Sequence, residues 1–94
     1  MLKNKIIKLI KENINVKKIE LNDLTNQHRN HKKDHDGKHF ILNIISDDFI
    51  NTSLIERHRI IYKIVNKFLK KEIHALSISA HTISESNEKE VSGS

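Results

Sequence analysis

Apolar residues first recur at helical spacing. Leu2, Ile6, Leu9 and Ile10 fall on one face and predict a short amphipathic helix over residues 2–13. The stretch VKKIEL (16–21) alternates instead, with Ile19 and Leu21 on one side, and reads as a brief strand. Some fifteen polar residues follow, with Gly37 as their single glycine. HFILNIIS (39–46) then carries apolar side chains on both faces, as a central strand does. One turn of helix is expected near 47–51. Ser53, followed three residues later by Glu56, forms a capping box and opens the main helix. Its stripe is Leu54, His58, Ile61, Val65 and Phe68, and the LKK after Phe68 sets cations at its negative end. IHALSISAH (73–81) alternates again, with Leu76, Ile78 and Ala80 predicted on the buried face. The remaining SESNEKEVSGS (84–94) is polar and turn-prone, and is expected to be a disordered tail behind a domain of residues 1–83.

The order is therefore helix, strand, strand, short helix, helix, strand: an α+β domain with a three-stranded mixed sheet and its helices on one face. A single helix laid across the sheet returns the chain to where the second strand began. The third strand should then run parallel to the second through a right-handed crossover. This places His74, at the start of the third strand, at the same sheet edge as the long polar connection. A hairpin connection takes about two to five residues, so a longer one is functional or disordered.

Composition narrows the chemistry. The chain has 94 residues, 36% hydrophobic and 31% charged, which suits one small globular domain. No apolar run approaches the roughly 20 residues of a membrane span, and the opening MLKNKIIKLIKENI fits a first helix better than a transit peptide. A cytoplasmic protein is expected. Cysteine is absent, which excludes disulfides, a thiol nucleophile and a self-sufficient thiolate cluster. Metal chemistry must run through histidine or carboxylate, or borrow thiolates from another molecule. The net charge of +5 favours an anionic partner. Fourteen lysines against three arginines, among many Ile and Asn, also fit a plain compositional bias.

NQHRNHKKDHDGKHF (26–40) holds His28, His31, His35 and His39, four of the seven histidines. Such a stretch fits a metal site, a pH sensor or a solvated loop, and it has no acidic pair at a familiar ligand spacing. The motifs around it carry more. HFILNIISDDF (39–49), LIERHRIIYKIV (54–65) and IHALSISAHT (73–82), with DLTNQH (23–28) before them, resemble the BolA family in order and spacing over roughly residues 23–85.

That resemblance implies a fold similar to the second KH type and a non-enzymatic role. It implies a heterodimer with a monothiol glutaredoxin carrying a CGFS motif. In such complexes a [2Fe–2S] cluster is shared, with the partner's cysteine and a glutathione thiolate on one side. The BolA side supplies a histidine at the start of the last strand and a histidine or cysteine from the long loop. Carried over, these are His74 and His28, with His31 as a substitute for His28; Thr25 stands where relatives have serine. The isolated chain, expected to be a monomer, would hold no cluster alone. His39 and His58 match family positions, but their settings suggest structural histidines: His39 anchoring the loop's end, His58 hydrogen-bonded on the apolar stripe. His35 reads as solvated loop and His81 as a surface residue at a strand end. Arg57 and Arg59 suit a partner or nucleic-acid surface, or a salt bridge.

The alternative is a DNA-binding transcriptional regulator, as some members of the family are described. A working KH domain clamps nucleotides with a GXXG loop, whereas this chain has only Gly37 and Gly93, and its few aromatics are expected in the core. Basic charge alone predicts weak, salt-dependent binding. An enzyme is not expected, because no nucleophilic cysteine or Ser–His–acid set stands out.

Overall fold

The computed structural model describes residues 2–24, 38–69 and 71–93. Helix α1 spans Leu2–Asn13, strand β1 Lys18–Asp23 and strand β2 Lys38–Ile45. A 3-10 turn, Asp47–Phe49, leads to α2 (Leu54–Leu69), β3 (Ile73–His81) and α3 (Ile83–Gly93). The sheet order is β1-β2-β3, with β1 antiparallel and β3 parallel to β2. A crossover through α2 thus joins β2 to the parallel strand β3.

The sheet's inner face is built by alternation. Phe40, Leu42 and Ile44 of β2 point into the core, while Ile41, Asn43 and Ile45 are half-buried on the outer face. Ile6 and Ile10 from α1, and Ile61, Val65 and Phe68 from α2, close over that inner face together with Leu21, Leu76 and Ala80. β1 lies two residues later than its expected 16–21, because its ladder runs from Lys18 opposite Ile45 to Asp23 opposite Phe40. Pairing with β2 recruits Asn22 and Asp23 despite their poor strand propensity, which tertiary context commonly overrides.

The stripe of α2 differs from expectation at its first turn. Leu54 is 63% exposed, and Arg57 takes the inward position at 5% exposure, in line with Ile61, Val65 and Phe68. Both sets satisfy a 3.6-residue period, and the structure chooses the one whose cation finds internal partners. Asn51 takes the left-handed conformation (φ 65°) before the helix, a region asparagine tolerates. The capping box is formed as expected. Ser53 N–H donates to Glu56 Oε1 (2.7 Å), and Glu56 N–H donates to Ser53 Oγ (3.1 Å). The first of these bonds is the main reason the Glu56 carboxyl lies below its ordinary pKa. Ser53→Ala is expected to lower stability by about 1 kcal/mol with an unchanged urea m-value; equilibrium urea unfolding checks this.

The tail expected from residue 84 onward is instead helix α3. A second capping box starts it: Glu85 N–H donates to Thr82 Oγ1 (3.1 Å), and Thr82 N–H donates to Glu85 Oε1 (2.9 Å). Asp47 Oδ1 accepts from Ile83 N–H at 3.0 Å, and neighbouring Asp48 Oδ2 accepts from Asn15 N–H at 2.9 Å. Wholly buried Ser46 joins these two contacts, its Oγ donating to Asn15 O (2.7 Å) and accepting from Asp48 N–H (3.0 Å). The three residues Ser46-Asp47-Asp48 thereby tie the exit of α1 to the start of α3.

Candidate functional site

The end of the sheet where β2 and β3 begin is irregular. Lys38 stands opposite Ile73, yet His39 stands opposite Ala75, so β3 carries one additional residue there. The bulge sets His74 and Ala75 together against His39. Its cause is visible in burial: Ile73 (3% exposed) and Leu76 (8%) both reach the core although they are three apart, which strict alternation forbids. The strand takes up the mismatch at His74, which is left exposed.

Consequently the imidazoles of His39 and His74 lie with ring centroids 5.1 Å apart and planes inclined at 44°. His39 is held from behind, since its carbonyl accepts from Leu24 N–H at 2.7 Å. Across the bulge, Lys38 N–H donates to Glu72 O at 3.1 Å. The chain thus leaves β1 at Leu24 and enters β2 at Lys38 at the same end of the sheet at which His74 opens β3, as the parallel crossover requires. His28, His31 and His35, the loop candidates, lie outside the described residues.

The other singled-out residues separate. His39, expected to be purely structural, is brought beside His74 by the bulge. His58 is half-buried rather than part of the core, because the inward position of its turn belongs to Arg57. Arg59 is exposed. Arg57, for which a partner or nucleic-acid surface or a salt bridge stood open, takes the salt bridge and is an internal anchor. Its two terminal nitrogens donate to Glu85 Oε1 (2.7 Å) and Oε2 (3.0 Å), and Nη1 also donates to Ala80 O (3.0 Å). Its Nε serves Thr52 O (3.2 Å) and Thr52 Oγ1 (3.1 Å). Burial of the stem beneath α3 makes this arrangement, and Arg59 is left as the surface cation of the pair. The Arg57 guanidinium, with Thr82 N–H second, holds the Glu85 carboxyl at about 2, far below the usual 4.5. Half-buried His81 lies between Ser79 Oγ (3.0 Å from Nε2) and Glu85 Oε1 (3.8 Å from Nδ1). The sequence reading missed Glu85; the signal was TISE (82–85), the same capping spacing it had used at Ser53.

Two neutral imidazoles can serve a metal, but they make half of a tetrahedral set. Among the described residues no group of three or more His, Asp or Glu side chains is placed to hold a metal ion. A metal at this corner would therefore take its further ligands from water, from another part of the chain or from another molecule.

Comparison with known proteins agrees with this architecture. An uncharacterized protein of Buchnera aphidicola subsp. Acyrthosiphon pisum is 40% identical over 87 residues, covering 93% of this chain and 82% of that protein. SufE-like protein 1 of Arabidopsis thaliana is 42% identical over 73 residues, 71% of this chain but 20% of the plant protein's length. The solved BolA domain of SufE1 from Arabidopsis thaliana superimposes with a TM-score of 0.76 at 38% identity, covering 86% of this chain and 91% of that one. The profile of the family described as BolA-like protein matches residues 10–85, and with the fold shared with the solved BolA domain the chain belongs to the BolA family.

Proposed function

We propose that this chain is a non-enzymatic partner of a monothiol glutaredoxin. The two would share a glutathione-ligated [2Fe–2S] cluster in cytoplasmic iron–sulfur trafficking or iron homeostasis. One observation carries the reading: a β-bulge presents His74 at the sheet corner where the histidine-rich loop leaves and re-enters, in a chain without cysteine. The donor set suits one side of such a centre. Histidine can replace thiolate on one iron of a [2Fe–2S] cluster, and the absent thiolates would come from the partner. His74 would be the strand-borne ligand and His28 the loop ligand, with His31 able to stand in for it. Bound there, the cluster would supply electron-accepting and transferable iron; the chain's part is to hold one of its faces and shape its surroundings.

Anaerobic reconstitution with a monothiol glutaredoxin and glutathione tests this. Visible circular dichroism of the mixture should differ from that of the glutaredoxin's own cluster, and the coloured species should elute as a 1:1 heterodimer. A spectrum equal to the glutaredoxin alone, with this chain eluting separately, would sink the proposal.

A second reading, nucleic-acid binding, draws on the distribution of charge. Helix α1 exposes Lys3, Lys5, Lys8 and Lys11 against Glu12, and α2 exposes Arg59, Lys63 and Lys67 against Glu56. The cationic face therefore lies on the helical layer. It would bind phosphate backbones without base selectivity and with steep salt dependence.

A further inference from the structure

We infer that His39 and His74 together form a strand-borne site for a single divalent transition-metal ion, held without the loop histidines. The bulge is the first support. It sets His74 and Ala75 opposite His39 while Ile73 stays in the core, so the two imidazoles share one corner of the sheet. Regular pairing would have kept the alternation of β3 intact and left Ile73 or Leu76 in water. The exchange leaves one histidine exposed and another, half-buried, beside it.

The separation is the second support. With metal–nitrogen bonds of about 2.0–2.1 Å and ring centroids about 1 Å behind the nitrogens, two imidazoles at a tetrahedral angle have centroids about 5 Å apart. The observed 5.1 Å matches that spacing, and the 44° inclination is not that of stacked rings. The backbone of His39 is held by the ladder and by the bond from Leu24 N–H, and His74 is flanked by the paired residues Ile73 and Ala75, so the two backbone positions are set before a metal arrives. Imidazole donors suit zinc, cobalt, nickel and copper, and water would complete the coordination.

This goes beyond the cluster-sharing reading and needs neither glutaredoxin, glutathione nor iron. The test titrates the full chain with Co²⁺, followed by its visible absorption, with Zn²⁺ as competitor. His39→Gln and His74→Gln should each weaken Co²⁺ binding by about tenfold or more, since even outer partners of a ligand are worth that much. A triple His28→Gln, His31→Gln, His35→Gln variant should bind within about threefold of wild type. Far-ultraviolet circular dichroism checks that each variant is folded. Independently of any substitution, Zn²⁺ should shift the ring ¹⁵N resonances of His39 and His74 in the wild-type chain. Wild-type affinity in His39→Gln, loss of binding in the triple loop variant, or ¹⁵N shifts confined to other histidines would overturn the site and leave an aromatic contact only. Such a failure leaves the glutaredoxin reconstitution untouched, and failure of that reconstitution leaves this site standing.

Discussion

Arg57→Met should lower the unfolding free energy by about 3 kcal/mol, the largest single stability loss expected outside the apolar core. Methionine keeps the volume of the stem but removes the donors to Glu85, to the carbonyls of Ala80 and Thr52, and to Thr52 Oγ1. Water can reach Glu85, whose side chain is 43% exposed, but Ala80 is 2% exposed and its carbonyl would lose this donor. Lysine should rescue little, because a single ammonium cannot copy a fork that serves two elements at once. Urea unfolding at neutral pH measures the loss, and a change below about 1 kcal/mol would show that the pair behaves as a surface bridge. Acid provides a second readout. With its pKa held at about 2 against an ordinary 4.5, Glu85 contributes stability that is complete above 4.5. That contribution is lost as pH falls toward 2. Glu85→Gln should therefore be less stable than wild type at neutral pH and show a flatter acid limb between pH 4.5 and 2. Amide exchange in α3 should quicken in both variants, since the same carboxylate is its cap.

The second large effect concerns the division of labour among histidines in the proposed mixed cluster. His74→Ala should abolish the heterodimer spectrum and leave the glutaredoxin's own. The residue stands at the bulge of β3, between the paired residues Ile73 and Ala75, and the other histidine of that strand, His81, lies at its opposite end. His28→Ala should leave a weakened mixed species because His31 lies three residues on, and the double His28→Ala, His31→Ala variant should remove it. Neither loop substitution touches the described core, so apo-protein thermal unfolding should stay within about 0.5 kcal/mol of wild type. Visible circular dichroism after anaerobic reconstitution separates the three outcomes. A wild-type spectrum from His28→Ala, with loss in His35→Ala, would reassign the loop ligand.

Local patterning alone carried most of the architecture. The 3.6-residue spacing of Ile6 and Ile10 and of Ile61, Val65 and Phe68, the alternation in HFILNIIS and the Ser53–Glu56 box each specify an element through contacts within a few residues. The parallel pairing of β3 followed from chain geometry, and with it the placement of His74 at the end of the sheet where β2 begins. What tertiary structure decided lies where two local solutions were equally good or where a distant partner was needed. The first turn of α2 could have buried Leu54 or Arg57, and only Glu85, twenty-eight residues on, made the arginine the better choice. The same distant pair, with Asp47 on Ile83, turned a polar tail into a capped helix. The bulge at His74 was invisible to a period-two reading of β3. It arises because Ile73 and Leu76 must both enter the core, and that demand is set by packing against α2 and β2. The sequence determines which residues can ligate a metal; the misfit between strand and core decides which two of them meet.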